Sequence, residues 1–319
     1  MNRIKYMGLG WLLVFASSAW AVGEPEANTF LWKAEKTGRP TVYLLGTIHI
    51  GKVGSTLSPA YQKALQESQQ LIVESDGEEF NLPQYAEEAK QLHQMMTGTR
   101  TLQQSLGRIR IFALNQVLSK GQEPLQFNGE RQQTAWSAWL TVQTLYTPKG
   151  YSYLYGIDNL LLKQAKQQGK TIVALERLQP LYLMQSIPED KILRSLDRVI
   201  LQHQAILAEQ KKLVSLYQTN QAQALWQEVS EPSKLLRFTP QQDKTYWQDF
   251  MLNKLLAQRN QTWMLQLVSI LPKDSTLIAV GAAHLFGEQG LIRKMRQLGY
   301  QLVPIHSQNS KINPVTRFL

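Results

Sequence analysis

The stretch Val42-Tyr-Leu-Leu-Gly-Thr-Ile-His49 is an apolar run followed by glycine, two further residues and histidine. Near the other end of the chain, Leu277-Ile-Ala-Val-Gly-Ala-Ala-His284 repeats this order. Short apolar runs bounded by glycine are typical of buried strands. Because the chain contains only five histidines, two in matched settings predict one site that takes an imidazole from each end of the chain.

Each histidine stretch is followed by the pattern of a helix and then a strand. After His49, the pair Ser58-Pro59 favours a helix start, since serine is a good N-cap and proline suits the first helical position. Residues 70–74 then form a short apolar run. After His284, a helix is predicted over 288–298 and a strand over 300–305. Both ends therefore predict a strand–helix–strand unit.

A third unit lies in the middle of the chain. Asp158 is predicted to cap a helix that runs to about residue 168, and residues 171–175 form a strand that ends at Glu176. Upstream of the first histidine, residues 30–35 and 41–45 are separated by a turn and predict a hairpin.

The remaining long segments have apolar residues spaced three to four apart, which is typical of amphipathic helices. They cover about 84–145 and 179–271. The sequence therefore predicts an α+β fold: a mixed central sheet built from N- and C-terminal βαβ units, with a large helical cap. We expect residues 22–319 to form a single domain.

The first 21 residues have the pattern of a secretory signal peptide. Arg3 and Lys5 precede the uncharged apolar run from Tyr6 to Ala16, and Ala19-Trp-Ala21 fits a small-x-small cleavage site. The run is too short for a membrane span, which takes about 20 residues. We therefore expect cleavage near Ala21 and a mature protein that is periplasmic or secreted, with no transmembrane segment.

Composition excludes some classes of site and partner. The chain has no cysteine, so a metal would need histidine, carboxylate or water ligands. Removing residues 1–21 takes away Arg3 and Lys5 and no acid, which lowers the formal charge from +10 to +8. The basic residues are scattered and form no dense tract with interleaved aromatics, so we expect no nucleic-acid partner.

Four polar side chains follow directly on predicted strands: His49, Glu74, Glu176 and His284. Open α/β sheets bind ligands at the carboxyl ends of their strands. Two imidazoles with one or two carboxylates can ligate a divalent metal, which activates water and polarises a carbonyl. The same four groups can also act without metal, with glutamate as base and histidine as acid.

Each of these residues taken alone has a structural explanation. A single glutamate fits a surface ion pair, and a single histidine fits a hydrogen-bonded structural role. Asp76 is an alternative acid to Glu74, and His306 is an alternative ligand that lacks the preceding glycine. The matched context of the four strand ends favours a common site.

Six short motifs together resemble one known family, the TraB/GumN family, which includes the Tiki metalloproteases. The motifs are Leu45-Gly-Thr-Ile-His49, Val73-Glu-Ser-Asp76, Tyr155-Gly-Ile-Asp158, Ala174-Leu-Glu176, Arg259-Asn260 and Val280-Gly-Ala-Ala-His284. The resemblance covers about residues 29–306 and is weakest over about 100–150. There Trp136 and Trp139 lie where a Pro-Trp pair is common in the family.

The resemblance implies a fold related to erythromycin esterase and to the ChaN haem-binding proteins. It implies that His49 and His284 are paired site histidines and that Glu74 and Glu176 are the acidic positions. Arg259 and Asn260 match an Arg-Asn pair on a late helix. In Tiki-like members the site is understood as one of metal-dependent peptide hydrolysis.

These observations lead to a principal hypothesis of an exported metal-dependent hydrolase that cleaves a peptide or related amide. His49, His284 and Glu74 are the expected metal ligands, and the metal is Mn, Co or Zn. Glu74 or Glu176 would activate water, and a fixed guanidinium at Arg259 would stabilise developing charge. The alternatives are a non-catalytic periplasmic binding protein for a peptide, haem or signal molecule, and a metal-free esterase.

Overall fold

The structure is a computed structural model that describes residues 25–76, 82–271 and 273–306. The predicted signal peptide, residues 1–21, lies outside the described residues. None of the helices in the described part of the chain is long and apolar enough to cross a membrane.

The strands of the described chain are β1 Leu31–Glu35, β2 Val42–Thr47, β3 Gly51–Lys52, β4 Gln70–Val73, β5 Tyr151–Ser152, β6 Thr171–Ala174, β7 Thr276–Gly281 and β8 Gln301–Ile305. Six of them form one mixed sheet with the order β6-β4-β7-β2-β1-β8, and the two short strands, β3 and β5, pair separately.

Helices account for most of the remaining described chain. The α-helices are α1 Pro59–Gln66, α2 Ala86–Thr97, α3 Leu102–Leu106, α4 Arg108–Leu118, α5 Ala135–Leu145, α6 Ile157–Gln167, α7 Gln179–Gln185, α8 Glu189–Gln218, α9 Ala222–Ser230, α10 Pro232–Leu235, α11 Lys244–Gln248, α12 Arg259–Ile270 and α13 Leu291–Gln297. A π-helix, Asp249–Gln258, joins α11 to α12.

The two histidine stretches form the centre of the sheet. Strands β2 and β7 are parallel neighbours, with Leu45 opposite Ala279 and Thr47 opposite Gly281. Every residue of β2 is buried, as expected for a parallel strand covered on both faces. The antiparallel β1 joins β2 to the edge strand β8. The predicted α+β fold with a mixed sheet is confirmed.

Gly46 permits the close approach of the segment that follows β7. A Cβ at this position would lie 2.9 Å from both Ala282 Cα and Leu285 Cδ1. The same glycine is anchored from the helical side, because Tyr217 of α8 donates a hydrogen bond of 2.5 Å to its carbonyl. Tyr217 also stacks on Phe30 with ring centroids 4.3 Å apart.

One helix prediction was wrong in its starting point. The helix predicted over 288–298 covers only Leu291–Gln297. Gly287 has φ +77°, which an α-helix does not tolerate, and Gly290 is extended and forms the N-cap. By contrast, Ser58 caps α1 as predicted, since its side chain accepts from Tyr61 N.

The buried apolar residues form two clusters. One surrounds the sheet and includes Trp263 and Tyr217; the other lies among the helices and includes Trp139 and Phe250. Helix α8 contributes to both clusters and is kinked at Gln202. The continuous helical segment from α11 through the π-helix to α12 also joins the two clusters.

Candidate active site at the strand ends

The strand order brings the four predicted side chains to one edge of the sheet. Strands β6, β4, β7 and β2 are adjacent and parallel, so their carboxyl ends lie at the same edge. Glu74 directly follows β4 and Glu176 lies just beyond β6. His49 lies just beyond β2, and His284 ends a 3-10 turn that follows β7. Arg259 and Asn260, at the start of α12, complete the cluster.

Arg259 connects the two carboxylates. Its Nη2 donates to Glu74 Oε2 at 2.6 Å and to Glu176 Oε1, and its Nε donates to both Glu176 oxygens at 3.0 and 3.2 Å. The guanidinium lies over the ring of Trp263, 4.8 Å from its centroid. Trp263 Nε1 in turn donates to Glu176 Oε2 at 3.1 Å. The two carboxylates therefore share one cation within a largely buried hydrogen-bond network.

His284 is fixed in one tautomer by Asn260. The Asn260 Nδ2 group donates to the backbone oxygens of His284 and Gln289 at 3.0 and 2.8 Å, so its Oδ1 faces His284 Nδ1 at 2.7 Å. Oδ1 can only accept, which places the proton on Nδ1 and leaves Nε2 with a lone pair. Arg259 Nη1 lies 3.2 Å from that Nε2. Burial lowers the pKa of His284 to about 4, so the ring is neutral at neutral pH.

His49 is oriented by Asp158 in a corresponding way. Its Nδ1 lies 3.2 Å from Asp158 Oδ2, and a carboxylate at this distance requires a proton on Nδ1. The Asp158 charge raises the pKa of His49. The side chain of His49 is 69% exposed, unlike that of His284, so this ring is accessible from solvent.

Gly281 is the point at which the two imidazoles and Glu74 meet. Its N–H donates to Glu74 Oε1 at 2.6 Å. A Cβ at Gly281 would lie 3.1 Å from that Oε1 and 3.7 Å from both His49 Nε2 and His284 Cδ2. The glycine that precedes His284 by three residues therefore allows the site to close around the strand end.

The two glutamates differ in their acidity. Burial would raise the pKa of Glu74, but the opposing effects of His284, Arg259 and His49, with the Gly281 amide, lower it to about 2. For Glu176 burial dominates over the Arg259 contact and raises the pKa. The same cation thus holds one carboxylate that is firmly ionised and one that exchanges a proton more readily.

The donor types in the site fit a divalent ion. Both histidines have Nδ1 held by an oxygen acceptor, which is the arrangement of oriented metal-binding imidazoles. The Nε2 of His49 is the atom that faces Gly281, whereas the Nε2 of His284 lies towards Glu74. Glu74 Oε1 lies 3.9 Å from His284 Nε2. Within the described ranges, no three histidine or acidic side chains converge on one ion position as they stand. Binding of a metal ion by His284 would require Arg259 Nη1 to move away from His284 Nε2.

The structure contradicts the predicted role of Asp158 and adds a residue to the site. Asp158 does not cap α6, because the N-cap is Gly156 and Asp158 lies in the first turn, where it pairs with His49. Its presence in the Tyr155-Gly-Ile-Asp158 motif was the available signal. Trp263 packs in the sheet cluster, and its contact with Glu176 was missed. The spacing of four residues between Arg259 and Trp263 was the only signal for it.

The alternatives to the strand-end residues lie elsewhere. Asp76 pairs with Lys166 of α6 at 3.0 Å. His306 is exposed beyond β8, which β1 and β2 separate from β7. Neither residue contributes to the cluster around Arg259.

Comparison with known proteins yields one family and two similar chains. A family model described as the TraB/PrgY/gumN family matches residues 30–304. The chain is 27% identical over 296 residues to the uncharacterized protein YbaP of Escherichia coli (strain K12), an alignment that covers 89% of this chain and 99% of the relative. The YbaP protein of Shigella flexneri gives the same identity and coverage.

Arg259→Met should strongly destabilise the protein, because it leaves the buried Glu176 and the half-buried Glu74 without their cation. We expect a loss of about 3–5 kcal/mol in the free energy of unfolding, measured by urea denaturation. Combining Arg259→Met with Glu176→Gln should restore part of this loss. The control is Arg293→Met, which breaks the exposed pair with Glu288 and should cost less than about 1 kcal/mol. Equal effects of the two single substitutions would contradict the central role of Arg259.

His284 should make the metal-free protein less stable in acid. Its folded pKa of about 4 lies below the ordinary value of 6.5, so the unfolded chain takes up a proton first and stability falls as pH drops through this range. Between pH 6.5 and 4.5 we expect a loss of about 2 kcal/mol from this group. Urea denaturation in the presence of a chelator measures it.

The matched variants for this experiment are His284→Gln, which should show a flatter profile, and His93→Gln. His93 is exposed on α2, so its replacement should retain the wild-type profile. A profile for His284→Gln that matches the wild type would show that His284 is not the group responsible.

Proposed function

Because the chain belongs to the TraB/PrgY/gumN family over residues 30–304, we propose that it is a metal-dependent hydrolase that cleaves a peptide or a related amide. The observation that carries this proposal is the pair of imidazoles whose Nδ1 atoms are held by Asp158 and Asn260. Their Nε2 atoms share the surroundings of Gly281 and Glu74. A histidine pair oriented in this way beside an ionised carboxylate supports metal binding.

His49, His284 and Glu74 are the residues that would hold the metal, which is Mn, Co or Zn. Once bound, the ion would supply Lewis acidity for an amide carbonyl and lower the pKa of water. Glu74 suits the ligand role because its low pKa keeps it ionised and its Oε1 faces His284. Asn260 acts as a positioning residue, since it fixes the proton of His284 on Nδ1.

Glu176 is the proposed proton acceptor. Burial raises its pKa, and a general base works best when its pKa approaches the operating pH. Arg259 connects this base to Glu74 and supplies a fixed positive charge that stabilises negative charge developing on the attacked carbonyl. The two carboxylates thus divide ligand and base roles according to their surroundings.

Two other functions would use the same residues differently. In a binding protein for a peptide, haem or signal molecule, the Arg259 network would hold the strand ends rigid without turnover. The hydrogen bonds that engage both glutamates with Arg259 favour this as the second candidate. In a metal-free esterase, Glu176 and His284 would act as base and acid, and activity would survive chelation.

Metal content and activity should be lost together when either histidine is replaced. We expect wild-type protein incubated with Mn²⁺, Co²⁺ or Zn²⁺ and desalted to retain one ion, as measured by mass spectrometry of the metal. His49→Ala and His284→Ala should retain little, whereas the control His93→Ala should match wild type. Unchanged metal content in both site variants would contradict the two-histidine site.

Activity is measured in the same proteins with a quenched-fluorescent peptide library. Chelation should abolish cleavage and one of the three ions should restore it, because the ion supplies the electrophile. Glu176→Gln should keep the metal and lower the rate by about 10²–10⁴-fold, the range of general-base contributions. If the wild-type protein retains metal but cleaves no peptide, the result favours the binding protein. If cleavage persists in the presence of a chelator, the result favours the esterase.

We place this activity outside the cytoplasm, on the basis of the signal-peptide pattern of residues 1–21. Expression of the full chain in a Gram-negative bacterium should yield, in the periplasmic fraction, a protein whose N-terminus follows Ala21. Replacing Leu12 and Leu13 by Arg should keep the unprocessed chain in the cytoplasm, since a charged core stops recognition of the apolar region. Intact wild-type protein in the cytoplasm alone would contradict export.

A further inference from the structure

A cavity of about 540 Å³ lies beside the candidate site. It is formed between the π-helix, the end of α9 and the loop that follows His284. Its lining includes Trp226, Leu252, Leu256, Ala257, Asn260 and Phe286. This volume is within the range of small-molecule sites in proteins, roughly 300–1,000 Å³.

The cavity and the candidate site share their walls. Asn260, which fixes the His284 tautomer, lines both. Ala283, the residue before His284, and Ala257, two residues before Arg259, also face the cavity. A group bound there would therefore lie next to the residues that surround the reacting bond.

The lining favours an uncharged apolar group. Its two acidic residues already have partners: Asp249 accepts from Asn253 at 3.1 Å and lies 3.7 Å from Lys254, and Glu288 pairs with Arg293. Neither carboxylate is available to attract a cationic ligand. The remaining surface is mostly aliphatic and aromatic carbon, whose burial against an apolar ligand is favourable by roughly 25 cal/mol per Å².

Trp226 offers a single unused donor. The residue is 6% exposed, and its Nε1 has no hydrogen-bond partner in the part of the chain that the structure describes. Its ring packs against Gly287, where a Cβ would lie 2.7 Å from Trp226 Cζ2. Buried indole N–H groups usually have an acceptor, but this atom is enclosed, so the indole ring would have to turn before a ligand carbonyl could reach it.

The π-helix explains why this cavity is joined to Arg259. A π-helical segment of ten residues is unusual, and π-helical turns often mark functional sites. Here Leu252 and Leu256 line the cavity, and the same helix continues directly into Arg259. The backbone that shapes the cavity therefore also sets the position of the guanidinium.

We propose that this cavity is the specificity pocket of the hydrolase and that it takes a bulky uncharged side chain of a peptide substrate, close to the scissile amide. The side chain fills the space between Leu252, Leu256 and Phe286. The ring of Trp226 forms part of the wall around that side chain. This inference rests on the proposed function for its substrate, but the binding of an apolar group to the cavity is measurable without turnover.

The first experiment uses N-phenyl-1-naphthylamine, a neutral aromatic probe whose fluorescence rises in apolar surroundings. Wild-type protein should bind it saturably, and Ala257→Phe, which fills the cavity, should weaken binding at least tenfold. The matched control Ala208→Phe adds the same ring at an exposed position of α8 and should leave binding unchanged. Glu176→Gln should also bind normally. Equal binding by Ala257→Phe and wild type would overturn the proposal.

The second experiment compares peptides that differ only in one residue beside the cleaved bond. Ala257→Phe should lower kcat/KM for peptides with Phe or Leu at that position at least tenfold and leave the value for Ala peptides nearly unchanged. Leu252→Ala enlarges the cavity and does not overpack it. It should therefore shift the substrate preference towards peptides with Trp beside the cleaved bond. An unaltered preference in both variants would overturn the assignment. If the probe responds as expected but wild-type protein cleaves no peptide, the hydrolase fails and the apolar pocket stands.

Discussion

Arg259 contacts the buried Glu176 and the half-buried Glu74 at once, and the geometry of the site follows from this contact. Glu74 and Glu176 follow adjacent parallel strands, so the sheet itself forces two like charges together at one edge. Burying such a pair without a cation would be very unfavourable. The guanidinium resolves this because its planar fork donates to both carboxylates at once. The orientation of Trp263 and the different acidities of the two glutamates follow from that arrangement.

The position of Arg259 is set by how the two hydrophobic clusters are joined. The helix that carries it begins among the residues of the helical cluster, passes through the π-helix and ends in the sheet cluster. The kinked α8 makes a second connection and fixes Gly46 through Tyr217. The edge of the sheet that carries the candidate site is thus held by helices that also pack in the other cluster, which makes the geometry of the site depend on the helical region.

Much of the fold and most of the site could be predicted because they depend on local patterns. Buried parallel strands require uninterrupted apolar runs, and a polar residue at the end of such a run stands out, as His49, Glu74 and His284 do. The start of α13 and the role of Asp158 were predicted wrongly for a physical reason. Gly290 is extended and forms the N-cap, so the helix begins only at Leu291, and Asp158 has a tertiary partner that competes with capping. Neither fact is visible in the spacing of residues.

The six strands of the main sheet, the polar residues that follow them and the two glycines that let backbone approach closely can be read from the chain, because they depend on side-chain size and polarity along a short segment. The short pair β3 and β5 and the partners of the polar residues depend on the tertiary fold. Asp158 reaches His49, Asn260 reaches His284, and Arg259 reaches Glu74 and Glu176 across long stretches of chain. Such contacts depend on strand order and on how the helices dock against the sheet, because side chains distant in sequence interact only after the backbone has brought them together.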